Sequence, residues 1–95
     1  IGCSNMGVTK ADVSVNGSTV TIHNAGLVQD ATADRGSLAA GLSNVFVPIK
    51  PGDIQVDGNG NVVISNAALA ARMNQLLSGQ NPQIGDINIY KCEAE

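Results

Sequence analysis

Apolar and polar residues alternate with a period of two in two paired stretches of this chain and fall on a helical stripe in a third. Val13 and Val15 alternate with Ser14, and Val20 and Ile22 with Thr19, Thr21 and His23, on either side of Asn16-Gly17. That pattern predicts a half-buried hairpin, with Asn16-Gly17 supplying the positive-φ positions of a type I′ turn. Ile54 and Val56 face Val62 and Ile64 in the same way across Asp57-Gly58-Asn59-Gly60, which predicts a second hairpin. From Ala67 to Ser78 the residues Leu69, Met73, Leu76 and Leu77 lie on one side of a helix, with Arg72, Asn74 and Gln75 outside that stripe. Asn66 is the expected N-cap. Gly79 is a natural residue just past the C-terminus, and Pro82 blocks continuation.

The two hairpins resemble each other in sequence. Asp12-Val13-Ser14-Val15-Asn16-Gly17 sets over Asp53-Ile54-Gln55-Val56-Asp57-Gly58. After one extra turn residue, Val20, Ile22, Asn24, Ala25 and Leu27 set over Val62, Ile64, Asn66, Ala67 and Leu69. A third, partial copy opens at Gly85-Asp86-Ile87-Asn88-Ile89. The expectation is a single α+β domain over residues 1–95 with an internal repeat, 11–50 and 52–91. It consists of duplicated ββα units plus a closing strand that carries Cys92, as a mainly antiparallel sheet with helices packed on one face. A compact duplicated β-barrel is the alternative. In the first copy the helix is weaker: residues 30–36 interrupt it, and Ser37 is a fresh cap for Leu38, Ala39, Ala40 and Leu42. Gly41 costs that second piece about 1 kcal/mol relative to Ala. Val45-Phe46-Val47-Pro48-Ile49 reads as a strand whose Pro48 lacks a ladder donor and belongs at an edge. Residues 1–10 show no clean period, although Met6 and Val8 are available to pack.

Composition narrows the chemistry. Charged residues are only 14% of the chain against 43% apolar, so Asn, Gln, Ser, Thr and Gly supply the polar surface. A net charge of −3 lacks the basic footprint that phosphate backbones require, which argues against nucleic acid. No apolar run approaches the length that spans a bilayer, and Ile1 in first position reads as a processed or trimmed start. The two cysteines, Cys3 and Cys92, lie near the ends with no metal-ligand spacing between them, so a terminal disulfide is expected. Such a bridge places the protein in a secreted, periplasmic or cell-surface compartment. The competing reading takes Ile1-Gly2-Cys3 as the tail of a lipoprotein signal.

Candidate chemical residues are few. Asp57-Gly58-Asn59-Gly60-Asn61 begins like a calcium loop, but the positions that need Gly and a bidentate Glu hold Val62 and Ala68. Asp30 and Asp34 flank Thr32 as in a solvated loop. His23 is the single histidine and alternates onto the polar face; any Ser–His mechanism must use it, with Ser43 in an incomplete nucleophile-elbow pattern as its partner. Asp12, Asp53 and Asp86 each precede an alternating strand, which suits a shared turn or cap duty. Asn16-Gly17-Ser18 is a glycosylation sequon. No cofactor or metal motif is present. Phe46 and Tyr90 are the only aromatics, too few for stacking on sugars or bases. The expected function is a small non-enzymatic binding module of the effector, toxin or inhibitor kind, acting on a protein or surface polymer. The expected interaction surface lies where the two copies differ, at Asp30, Asp34 and Arg35, with Pro48 and Tyr90. The alternatives are a structural subunit that self-associates through an edge strand and a small hydrolase using His23.

Overall fold

The computed structural model describes residues 2–78, 87 and 89–93. The Gly79 and Pro82 stop signals, and Gly85, Asp86 and Asn88 of the partial third copy, lie outside the described residues. The β-branched alternating runs form strands β2 (Val13–Asn16) and β3 (Thr19–His23), then β4 (Ile54–Val56) and β5 (Asn61–Ser65). Each hairpin is entered through a 3-10 turn, Lys10–Asp12 or Pro51–Asp53. In both, the aspartate at the end of the turn reaches back to the backbone three residues earlier: Thr9 N–H and Lys50 N–H each donate to it at 3.2 Å. Asp12 and Asp53 are therefore turn-forming groups.

The hairpin turns differ. Asn16 belongs to β2 and pairs with Thr19, so Gly17-Ser18 is the loop, and only Gly17 has positive φ, at 63°. The first turn is thus of the II′ kind, which needs glycine at its first central position, and not the I′ turn centred on Asn16-Gly17. In the second, Gly58, Asn59 and Gly60 make a three-residue loop closed by Asp57 N–H donating to Asn61 O at 3.0 Å, with Gly60 at φ 81°. This is the geometry of a turn followed by a left-handed bulge residue. It absorbs the one extra residue in the sequence alignment.

The four strands join in the order β2-β3-β5-β4, all antiparallel. The β3–β5 register centres on Thr21↔Val63, with Val20↔Ile64 and Ile22↔Val62 on either side. Each hairpin thus meets the other through equivalent strands in opposite senses. After β3, Asn24 caps helix α1 (Ala25–Ala33); after β5, Asn66 caps the last helix, α3 (Ala67–Leu77). Each asparagine Oδ1 accepts from the backbone N–H three residues on, at 3.0 and 2.9 Å. α1 does not cover its own hairpin: it packs on β4 and β5, while α3 packs on β3 and β2. Val20, Ile22, Leu27, Val62, Ile64, Leu69 and Met73 meet in the resulting core, all fully buried.

Truncating the caps tests this arrangement. Asn24→Ala is expected to cost about 1 kcal/mol. Asn66→Ala is expected to cost more, because Asn66 Nδ2 also reaches Pro48 O at 3.4 Å and thereby ties α3 to the inter-hairpin segment. Urea denaturation of the two variants measures the difference.

Several expectations are corrected. α1 runs unbroken through Asp30 to Ala33, and α2 (Arg35–Val45) starts from Asp34, whose Oδ1 accepts from Ser37 N–H at 3.2 Å. Asp34, not Ser37, is the cap. Residues 45–49 form no strand: Val45 ends α2, because Leu38, Ala39 and Leu42 bury on a helical stripe that outweighs the β-preference of the residues after it. The Ser43 hydroxyl then holds the following segment, accepting from Ile49 N–H at 2.9 Å and donating to Ile49 O at 3.2 Å. Pro48 is exposed in that irregular segment and edges no sheet. The closing strand β6 (Tyr90–Glu93) does not join the main sheet. It pairs antiparallel with β1 (Gly2–Asn5), a strand the aperiodic start did not announce. Main-chain bonds from Met6 N to Ile89 O and from Ile87 N to Val8 O, both 2.9 Å, carry that pairing inward to buried Val8, Ile87 and Ile89. Among the described residues β2 and β4 stand at the two edges of the main sheet and do not pair with each other, so these strands do not close into a barrel.

Cys3 and Cys92 are directly opposite in β1–β6 and form a disulfide. Asn44 of α2 points its Nδ2 toward both sulfurs, 3.4 Å from Cys92 Sγ. α2 packs closely on β6 because Gly41 has no side chain: a Cβ there would collide with the Tyr90 carbonyl.

Candidate interaction face

Strand alternation sends every second side chain of the main sheet away from the helices. On that outer side the register aligns three rows. Ser14, Thr21, Val63 and Gln55 form the middle row across all four strands. Asn16, Thr19 and Ser65 form a second row, and His23 with Asn61 a third. Ser14, Asn16, His23, Gln55 and Ser65 are exposed; Thr19, Thr21, Asn61 and Val63 are half-buried. No lysine, arginine, aspartate or glutamate belongs to these rows. The result is an open surface of hydroxyls and amides.

The third row has internal order. His23 Nδ1 lies 2.8 Å from Asn61 Oδ1, and Asn61 Nδ2 donates to Asp57 Oδ2 at 3.0 Å. Asp57 Oδ1 accepts from the backbone N–H of Asn59 at 2.8 Å and of Asn61 at 3.0 Å. Since Asn61 spends its amide hydrogens on Asp57, its oxygen faces the imidazole, and Nδ1 is the nitrogen that carries hydrogen. The Nε2 lone pair is left outward. The Asn61 side-chain amide, then the Asn59 N–H and the other donors, hold the Asp57 carboxyl below the usual aspartate range.

A lowered carboxyl pKa in the folded state gives stability that is fully present above the unfolded value, 3.8 for the reference group, and is lost as pH falls from there through the folded value. Asp57→Asn is therefore expected to flatten the acid side of a plot of melting temperature against pH below about pH 4. Unchanged slopes in the two proteins would contradict it.

The residues expected at an interaction surface are spread over other parts of the fold. Asp30 pairs with Lys91 at 3.2 Å, joining α1 to β6 beside Tyr90, which is half-buried. Asp34 is the α2 cap, Arg35 the first residue of that helix, and Pro48 sits by the start of α3. Asp30 and Tyr90 are thus brought to one region, and Asp34, Arg35 and Pro48 to structural positions elsewhere. His23, on the polar face as expected, is held by Asn61. The Ser43 hydroxyl is occupied by Ile49, so the two groups of the hydrolase reading are each engaged with other partners. Asn16 of the sequon is exposed at the hairpin end. Among the described residues no three His, Cys, Asp or Glu side chains converge as a metal site, and no helix is long and apolar enough to cross a membrane.

No protein-family model, curated protein or solved structure matches the chain. Its function is therefore argued from this geometry. The middle row and the His23–Asn61–Asp57 chain escaped the sequence analysis because each needs the β3–β5 pairing. The signal that points to them is the mirrored alternation of the two hairpins, which brings Thr21 beside Val63 and His23 beside Asn61.

Proposed function

We propose that the protein is a small binding module of an oxidising compartment, built from an internally duplicated ββα unit. In this reading it engages a partner with an uncharged polar surface, protein or polymer, through the outer face of its four-stranded sheet. The observation that carries this reading is the row Ser14-Thr21-Val63-Gln55: a continuous, charge-free row of exposed and half-buried residues on the side of the sheet away from α1 and α3. Hydroxyl and amide groups both donate and accept, so such a face suits a neutral partner and its binding is expected to be insensitive to salt. The Cys3–Cys92 disulfide supports a secreted, periplasmic or cell-surface location.

The test is capture from the extracellular fraction of the source by immobilised protein, at low and high salt, with wild type and with Thr21→Arg. Thr21→Arg sets a charge in the middle of the face without touching the core. Loss of capture at unchanged melting temperature supports the reading. Capture that survives the substitution, or that disappears in salt, overturns it.

A further inference from the structure

We propose that the loop at residues 57–61 modifies itself: Asn59 cyclises onto the Gly60 backbone amide, with His23 as the general base. Three residues with a side-chain carbonyl precede a glycine here, Asn16, Asp57 and Asn59. A following glycine has no Cβ to hinder attack by its nitrogen and leaves the backbone free to turn. The fold treats the three sites differently.

Asn16 ends β2, where pairing with Thr19 holds its backbone extended, so it must leave the ladder before it can cyclise. Asp57 is kept ionised by three donors, and a carboxylate has no leaving group to lose. Asn59 is exposed and outside any strand. Among the described residues neither its side chain nor the Gly60 N–H makes a hydrogen bond. The His23 ring lies against this spot: a Cβ on Gly60 would stand 3.6 Å from Cε1, the ring carbon between the two nitrogens. With Nδ1 committed to Asn61, the free lone pair is on Nε2, the ring nitrogen bonded to that same Cε1. Asp57 is the charged group that faces the imidazole, through Asn61; Asp12, just before β2, is turned to the Thr9 N–H.

In the step, Nε2 takes the Gly60 amide proton and the freed nitrogen pair bonds to Asn59 Cγ. The bond from Cγ to the side-chain nitrogen breaks, and that nitrogen leaves as ammonia, carrying the proton returned by the imidazolium. Water then opens the five-membered imide at either carbonyl, giving an aspartyl or an isoaspartyl linkage. Water enters, ammonia leaves, and nothing is oxidised or reduced. The product places a carboxylate beside His23. In the isoaspartyl case it also adds a carbon to the backbone of the loop that sets the β4–β5 register.

The experiment follows both asparagines in one molecule by peptide mass mapping, where each conversion adds about one dalton, together with released ammonia. In denaturant with the disulfide reduced, Asn16 and Asn59 are expected to convert within about twofold of each other, because both precede glycine in an unstructured chain. In the folded protein Asn59 is expected to convert at least about tenfold faster than Asn16. His23→Gln is expected to slow Asn59 by at least about tenfold, the modest end of what a positioned base contributes, and to leave Asn16 unchanged. The Asn16 rate also reports that the variant is folded. Equal rates at the two sites in the folded protein, or an Asn59 rate indifferent to His23→Gln, overturns the proposal.

Discussion

Removing the bridge with Cys3→Ser and Cys92→Ser together is expected to lower stability by about 4–5 kcal/mol, since the cysteines are 89 residues apart and the bridge closes nearly the whole chain in the unfolded state. For a domain of this size that is a large share of the total. The folded state localises the loss. All four residues of β1 are exposed, and β6 is the strand that pairs with it. With the bridge open, β1 has one short ladder to hold it, and Asn44 loses the two sulfurs it faces. Guanidinium denaturation with and without reductant measures the global term. Amide exchange should show residues 2–6 opening first, well before β3 and β5. A reduced protein with the oxidised protein's midpoint would contradict the assignment.

Gly41→Ala is the second large effect. On helix propensity alone alanine should stabilise α2 by about 1 kcal/mol. The added methyl collides instead with the carbonyl of Tyr90, a main-chain group fixed by the β1–β6 ladder, so α2 and β6 must move apart. Overpacking against a main chain that cannot rotate away costs about 3 kcal/mol, and the net loss of about 2 kcal/mol corresponds to a fall of about 8–16 °C in melting temperature. Gly52→Ala is the control. Nothing lies within 4 Å of its Cβ position, and its φ is not in the left-handed region, so the two substitutions should differ in sign or nearly so. Differential scanning calorimetry of the pair decides the matter.

What the sequence revealed, and what it withheld, follows from the range of the forces involved. The two hairpins, the Asn24 and Asn66 caps and the α3 stripe are set by neighbours within a few residues, and alternation and spacing expose them directly. The Cys3–Cys92 pairing was legible because no other cysteine competes. Residues 45–49 were misread because their β-branched content is local, whereas the burial of Leu38, Ala39 and Leu42 that draws Val45 into α2 is tertiary. β1 was missed for the related reason that its four exposed residues have no buried face to make them alternate. The Gly41 contact is invisible in sequence, where glycine reads only as a weak helix former. The same limit held for the candidate site. The polarity of Thr21, His23 and Gln55 could be read off the strands, but the rows they form belong to the β3–β5 register.

The crossing of α1 and α3 bears on how this chain comes to be folded. Because α1 packs on β4 and β5 and α3 on β2 and β3, residues up to Val45 leave β3 paired on one side only, with β2, and put no hairpin beneath α1. As the chain leaves the ribosome, its first half is expected to stay open until β4 and β5 emerge, then to condense with them in one cooperative event. In that interval the edge of β3 that later pairs with β5 is open, a template for pairing with another chain, and it closes only when the second hairpin arrives.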